Sequence, residues 1–168
     1  AGRTFRARDR INHLSEFIKK LGITRYSLVM HDWGGPIGTG VAVENPEQIE
    51  RLVYLNTTLT ETESLPFSIK LANSRFIGKF LTKTTKRFLK LTTGLGAAVK
   101  IPRNIKQGYY YPYPHASDRQ SIWDFVDDIP FDTDHPSYTE MLKIAEGLKA
   151  MQHIPVQVIW GLKDPCFH

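Results

Sequence analysis

The stretch that most constrains the fold is SLVMHDWGGPIGTG, residues 27–40, in which an acid lies between an apolar run and two glycines. The apolar run over 26–30 shows no alternation of polar and apolar residues, which is typical of a strand buried on both faces of a parallel sheet. The segment that starts at Gly34 reads as a helix closed by an Asn-Pro pair. Asp32 is therefore predicted at a sharp turn between a buried strand and a helix.

Three strands and their flanking helices are predicted along the chain. A strand, a helix and a second strand in succession form a βαβ unit, which is expected to be right-handed. Between residues 60 and 131 short amphipathic pieces alternate with turn-rich stretches, which indicates a mostly helical insertion. The predicted fold class is α/β, with a doubly wound, mostly parallel sheet. The predicted elements are helices over 11–21, 34–43 and 137–151, and strands over 26–30, 51–56 and 156–160.

The composition narrows the class of protein. Apolar residues make up 41% of the 168 residues and charged residues 23%, which is typical of a soluble globular protein. No stretch is long and apolar enough to cross a bilayer, so membrane insertion is not expected. Cys166 is the only cysteine, which suits a reducing compartment and predicts a cytoplasmic location. No zinc spacing and no phosphate-binding loop occur, so we expect no metal, no cofactor and no nucleic-acid partner.

A lysine-rich region, IGKFLTKTTKRFLKL, lies inside the predicted insertion. The net charge of the chain is a modest +5. The spacing of the basic residues favours the solvated face of an amphipathic helix, with a contact to an anionic surface as the alternative. The basic residues at helical spacing are Lys79, Lys83, Lys86, Arg87 and Lys90.

Both ends of the predicted fold stop abruptly. The first element is a helix with no earlier strand to pack on, and only a few residues follow the last strand. Three strands are also too few for a stable doubly wound sheet. We therefore expect the chain to be a fragment of a larger protein.

The turn at Asp32 has the form of a nucleophile elbow. In such an elbow the apex residue takes a strained backbone conformation, so that its side chain projects above the edge of the sheet. The backbone N–H of Trp33 then points into the same space and can stabilise an anion. Gly34 and Gly35 fit the close approach of strand and helix. The alternative is that Asp32 only caps the following helix.

An acid at the apex favours attack on a saturated carbon. A serine would form an ether there, which water does not readily cleave. A carboxylate forms an ester instead, whose carbonyl is open to water, so the enzyme can be regenerated. A dry pocket would raise the reactivity of the carboxylate.

The motif HDWGG resembles the nucleophile motif of the Asp-nucleophile branch of the α/β-hydrolases, which includes haloalkane dehalogenases and epoxide hydrolases. LSEFIKKLGITRYSLVMHDWGGPIG, PEQIERLVYLNTT and PVQVIWGLKD are similar to successive core segments of haloalkane dehalogenases. The resemblance implies that Asp32 is the nucleophile and Asp164 the acid that orients a histidine. It also implies core segments over 1–59 and 135–168 and an inserted helical cap over 60–134.

Two parts of the family pattern are missing. The base histidine of the family follows the acid, and His168 is too close to Asp164 for that role. The early His-Gly loop, which supplies a second oxyanion donor, has no counterpart. We therefore expect a fragment that lacks the first strands and the C-terminal histidine segment, and that is inactive alone.

The resemblance also suggests residues of the substrate pocket. In dehalogenases the Trp after the nucleophile donates its indole N–H to the departing halide, and Trp33 matches that position, with core packing as the alternative. Asn56 stands where some relatives place the acid as Glu, which supports Asp164 as the acid. Trp123 lies late in the cap, where packing is the favoured role.

The cap offers two further comparisons. Epoxide hydrolases use cap tyrosines to protonate the opened ring, and GYYYPYP offers Tyr109 and Tyr113 among others, although packing of the cap on the core is the favoured role of these residues. The segments GYYYPYPHASDRQSIWDFVDDIP and WGLKDPCF resemble the β-lactone decarboxylases of bacterial olefin synthesis. Those enzymes open a β-lactone with the same aspartate and release CO2 and an alkene.

The resemblance thus implies haloalkane dehalogenase-type hydrolysis through an Asp-linked alkyl ester. The alternatives are β-lactone decarboxylation, epoxide hydrolysis, and a non-catalytic binding module on the same scaffold. A small hydrophobic substrate is the expected partner, and the candidate residues of its pocket are Trp33, Asn56, Tyr109, Tyr113 and Trp123.

Overall fold

The computed structural model describes residues 5–59, 67–74 and 76–167. The chain forms two compact units. The first unit comprises Ala1–Glu63 and Pro130–Gly161, and the second comprises Ser64–Ile129 and Leu162–His168. The cap boundary predicted at residue 60 lies outside the described residues, so the predicted domain limits stay predictions.

Helices and strands alternate in the first unit, whereas the second unit is helical. The elements are α1 (Ala7–Lys20), β1 (Tyr26–His31), α2 (Gly34–Glu44), a 3-10 turn (Pro46–Gln48), β2 (Ile49–Leu55), α3 (Phe67–Asn73), α4 (Ile77–Lys79), a π turn (Phe80–Thr84), α5 (Arg87–Leu95), α6 (Arg103–Tyr110), α7 (Gln120–Asp127), α8 (Tyr138–Leu148), a 3-10 turn (Lys149–Met151) and β3 (Val156–Ile159).

The three strands form one parallel sheet in the order β1-β2-β3, which confirms the predicted parallel α/β sheet. His31 at the end of β1 is paired with Leu55, and Leu55 is paired with Ile159. Because parallel strands run in one direction, their carboxyl ends meet at the same edge. The residues that follow these three strands, which begin at Asp32, Asn56 and Trp160, therefore lie along that edge.

Helices α1, α2 and α8 pack together in the first unit, and α2 also packs on β1 and β2. Beneath α2, Leu52 and Met30 form a core with Ala42. A neighbouring core joins the helices through Ile11 and Ile144, both nearly inaccessible to solvent. The apolar side chains that the sequence places at helical spacing thus bury one face of the sheet.

The strands are predicted to be buried on both faces, but within the described part of this chain the helices cover only one face. Val29 is 70% exposed, and Val158 on the edge strand β3 is 62% exposed. Among the described residues, the helices of the first unit cover the side of β1 that carries Met30, and alternate residues such as Val29 point the other way.

One polar network also ties the helices of the first unit together. Arg8 in α1 forms ion pairs with Glu44 at the end of α2 and with Glu140 in α8. Burial lowers the pKa of the Arg8 guanidinium, but the two carboxylates outweigh burial and raise that pKa above its ordinary value. Arg8 thus stays charged and links three helices.

The second unit packs around Trp123 and Val126 of α7, with Ala72 and Phe88 against them. The sequence suggested an amphipathic helix for the lysine-rich region, but the structure divides this region into separate helical elements. Thr85 takes an extended conformation, and its hydroxyl accepts a hydrogen bond of 3.2 Å from the N–H of Arg87, so a new helix starts there. In the part of the chain that the structure describes, no helix is long and apolar enough to cross a membrane.

Candidate active site

The turn between β1 and α2 has the strained apex that the sequence predicts. Asp32 has φ = 51° and is the single non-glycine residue with positive φ among those described. A left-handed conformation of this kind costs roughly 1–3 kcal/mol and persists only where neighbouring contacts hold it. The Asp32 side chain is exposed at the carboxyl edge of the sheet.

Three hydrogen bonds fix the backbone of Asp32. Its N–H donates to the carbonyl of Asn56 (3.1 Å), and its carbonyl accepts from the N–H of Gly35 (3.0 Å). The hydroxyl of Thr57 donates to the same carbonyl at 2.6 Å, and Thr57 is only 8% exposed. The residues after β2 therefore brace the apex after β1.

Thr57 is the residue of this site that the sequence reasoning missed. Its signal was available, because it follows β2 at the position that parallel pairing brings beside the turn after β1. A short hydroxyl side chain at such a position can donate to a backbone carbonyl of the neighbouring turn.

Only one of the two glycines after Trp33 meets a close neighbour. A Cβ atom at Gly35 would overlap the Thr57 hydroxyl and lie 2.9 Å from the Thr57 Cβ, whereas a Cβ at Gly34 would meet nothing within 4 Å. The expectation that both glycines serve the close approach is therefore corrected. Gly35 is required because Thr57 stands against it.

Trp33 is half-buried and packs on the helix core of the first unit. The guanidinium of Arg10 lies over its ring at 5.5 Å from the ring centroid, a cation–π distance. The ring is thus held between the apolar core and a cation. Its indole as donor to a leaving group, and its N–H as oxyanion donor, stay predictions.

Asn56 links the ends of β2 and β3. Its side-chain amide donates to the carbonyl of Gly161 (3.1 Å) and accepts from the N–H of Gly161 (2.8 Å). This reciprocal pair extends the β2–β3 pairing beyond the last residues of the strands. A role for Asn56 in substrate binding stays a prediction.

Asp164 forms a tight turn in the second unit. Its Oδ1 accepts the backbone N–H groups of Cys166 (2.7 Å) and Phe167 (3.0 Å). The carboxylate is thereby oriented by its own loop. Its role as the orienting acid stays a prediction, and His168 lies outside the described residues.

The aromatic candidates of the second unit have different environments. Trp123 is 5% exposed in the core of the unit, as the packing interpretation expects, whereas Tyr109 is 57% exposed. Tyr113 is half-buried, and its carbonyl accepts a hydrogen bond from Arg119. The hydroxyl of the intervening Tyr110 is 2.7 Å from that of Thr93. The substrate contacts predicted for these residues stay predictions.

Comparison with solved structures identifies the fold. An ancestral haloalkane dehalogenase is 20% identical, with a TM-score of 0.85, and the match covers 96% of this chain and 59% of that one. A loop variant of the haloalkane dehalogenase DbeA from Bradyrhizobium elkanii is 14% identical, with a TM-score of 0.84. That match covers 98% of this chain and 60% of the DbeA chain. The chain has the fold of an α/β-hydrolase. No protein-family model matches it.

Curated relatives of this chain include two kinds of enzyme. Cis-3-alkyl-4-alkyloxetan-2-one decarboxylases are 30% identical in Xanthomonas campestris and 31% identical in Shewanella oneidensis, over 95% and 99% of this chain. Haloalkane dehalogenase 1 of Mycobacterium tuberculosis is 24% identical over 92% of the chain. The chain spans about half the length of these relatives, 54% of each decarboxylase and 50% of the dehalogenase.

Proposed function

We propose that the protein containing this chain is an enzyme in which the Asp32 carboxylate attacks a saturated carbon that bears an oxygen or halide leaving group. The observation that carries the proposal is the left-handed apex at Asp32, φ = 51°, directly after a strand of an α/β-hydrolase sheet. In this fold that position holds the nucleophile. A carboxylate there forms an ester with the substrate, which is the step that the two kinds of relative can share.

The reaction we favour is decarboxylation of a β-lactone with two alkyl substituents. An oxygen of the Asp32 carboxylate attacks the saturated ring carbon that is bonded to the ring oxygen. The bond between that carbon and the ring oxygen breaks, which leaves a free carboxylate on the neighbouring carbon. That carboxylate then departs as CO2, its C–C electron pair forms the alkene, and the ester C–O electrons return to Asp32. No water is consumed. The identities of 30% and 31% to decarboxylases, against 24% to a dehalogenase, support this order of preference.

Dehalogenation is the second candidate, and Trp33 beside the nucleophile favours it. In that reaction the halide leaves when Asp32 attacks, and water hydrolyses the ester at its carbonyl. One oxygen of water then remains on Asp32 after each turnover. The fate of the Asp32 oxygens therefore distinguishes the two reactions, because decarboxylation regenerates the carboxylate without water.

The test uses the full-length protein that contains this chain, with peptide mass spectrometry after turnover in oxygen-18 water. A dialkyl β-lactone should yield an alkene with no label on Asp32, whereas a bromoalkane should yield halide and a labelled Asp32. Asp32→Asn should abolish both reactions, and the exposed Asp134→Asn should not change them. If Asp32→Asn retains the wild-type rate, Asp32 is not the nucleophile and the proposal is wrong.

Epoxide hydrolysis and a non-catalytic binding role stay predictions of lower rank. Diol formation from an epoxide that is lost in Tyr109→Phe and Tyr113→Phe would support the first. Full folding with no turnover of any of the three substrates would support the second.

A further inference from the structure

The charge of the chain is divided unequally between its two units. The second unit contains twelve Lys or Arg and five Asp or Glu, whereas the first contains ten and twelve. Their formal charges are therefore +7 and −2, which together give the +5 of the whole chain. Residues 64–117 contain ten Lys or Arg and no acid. A segment of this kind attracts an anionic partner over distances of about a Debye length.

Large apolar side chains lie exposed among these cations. Phe76 is 89% exposed, and Phe80 is 54% exposed four residues later, with the exposed Lys79 beside it. On the opposite side of the same helical turns, Gly78 and Thr82 are buried. The turns that contain α4 and the π helix thus present a mixed row of aromatic and cationic side chains to solvent.

Helix α5 repeats the pattern and contacts the π turn. Arg87 and Lys90 are exposed, and Leu91, which is next to Arg87 on the same helix face, is 50% exposed, whereas Leu89 and Thr93 point inward. Among the described residues, no ion pair with a carboxylate neutralises Lys79, Arg87 or Lys90. We call these two exposed rows, Phe76, Lys79 and Phe80 with Arg87, Lys90 and Leu91, the basic apolar surface.

We propose that the basic apolar surface docks the protein on a lipid membrane that contains anionic headgroups. Cations interspersed with Phe and Leu are what interfacial binding requires, because Lys and Arg contact headgroups while apolar side chains enter the acyl boundary. A nucleic acid would satisfy the charge, but a protruding Leu91 and the aliphatic Ile77, 54% exposed, gain little on a phosphate backbone. The lipid surface uses both kinds of side chain, so it is the occupant that fits. This inference does not depend on the reaction proposed above.

The test is vesicle co-sedimentation of the full-length protein that contains this chain. Vesicles of phosphatidylglycerol and phosphatidylcholine in equal parts should bind it, and binding should weaken as salt is raised. The triple variant Lys79→Gln, Arg87→Gln, Lys90→Gln should lose about fivefold in affinity per residue, on the order of a hundredfold in all. Phe76→Ser, at a site already open to solvent, should lose about tenfold in affinity at low and at high salt alike, because salt does not screen an apolar contact.

The matched control removes the same charge from the first unit. Lys20 in α1, Lys143 in α8 and Lys149 in the 3-10 turn after α8 are exposed, and their triple change to Gln should leave vesicle affinity within about twofold of the wild type. Equal losses in the two triple variants would overturn the proposal, because net charge alone would then explain binding. Equal binding to pure phosphatidylcholine, or binding to duplex DNA without binding to vesicles, would overturn it as well.

Discussion

The hydroxyl of Thr57 should position the nucleophile, and Thr57→Val tests this directly. Valine keeps the shape of the side chain but removes the donor that lies 2.6 Å from the Asp32 carbonyl. The carbonyl then retains the hydrogen bond from the N–H of Gly35. Because Asp32 is held in a left-handed conformation, a weaker brace allows its backbone to relax and moves its carboxylate.

The magnitude follows from the contacts. One buried hydrogen bond contributes about 1 kcal/mol net, so Thr57→Val should lower the free energy of unfolding by ~1–2 kcal/mol. A nucleophile displaced by about 1 Å can lose on the order of a hundredfold in rate. We therefore expect kcat to fall by roughly ten- to a hundredfold, while KM stays nearly constant because substrate contacts are unchanged.

Two controls separate positioning from stability. Thr57→Ser keeps the hydroxyl and should recover most of kcat. Thr39→Val removes another buried hydroxyl, which lies 2.9 Å from the hydroxyl of Tyr54 and away from the apex. It should cost similar stability, measured by urea unfolding, with little change in kcat. If Thr57→Val and Thr39→Val have the same kcat, the Thr57 hydrogen bond is structural only and the reasoning is wrong.

Three further predictions concern the same unit. Asp32→Gly should raise the free energy of unfolding by about 1 kcal/mol in urea titrations, because glycine tolerates φ = 51°. The same change should abolish turnover. A loss of stability would contradict the claim that the Asp32 backbone is strained. Gly35→Ala should cost ~1–3 kcal/mol through overlap with Thr57, whereas Gly34→Ala should be neutral or stabilising in the same assay; equal effects would contradict the packing. Burial raises the pKa of Tyr54 above 10.0, although its hydrogen bond to a threonine hydroxyl lowers it in part. The contribution of the protonated Tyr54 hydroxyl to stability is therefore complete below pH 10 and is lost as the pH rises through the higher folded-state pKa. Between about pH 8 and pH 11 the free energy of unfolding should consequently fall less in Tyr54→Phe than in the wild type. Equal losses in the two proteins would contradict this.

Local patterns predicted the strands, the helices and the apex, because each of these depends on residues adjacent in sequence. An apolar run, an acid and a glycine pair are enough to indicate a strand, a strained turn and a helix. The contacts of Thr57 and Asn56 were not predicted, since they join residues 25 and 105 positions apart. Only the register of the strands brings those residues together.

The same limit explains the predictions that were wrong. The sequence of β1 does not reveal which of its apolar residues the helices of this chain cover, and they cover Met30 and not Val29. A glycine pair likewise does not reveal which glycine meets a neighbour. Gly35 does because Thr57 lies against it, and Gly34 does not.

The apex and the far edge of the sheet should be energetically coupled. The carbonyl of Asn56 accepts a hydrogen bond from the N–H of Asp32. The side-chain amide of Asn56 donates to the carbonyl of Gly161 and accepts from the N–H of Gly161. Thr57, the next residue, holds the Asp32 carbonyl. Changing Asn56 to Ala therefore loosens the same peptide segment that Thr57 needs in order to reach the apex.

A double-mutant cycle on the unfolding free energy measures this coupling. We expect Asn56→Ala and Thr57→Val together to cost about 0.5–1 kcal/mol less than the sum of the single changes, since the first already weakens the brace. Thr39→Val combined with Asn56→Ala supplies the reference and should be additive. If both pairs are additive, the brace from Thr57 acts independently of the Asn56 side chain, and the link from Gly161 plays no part in positioning the nucleophile.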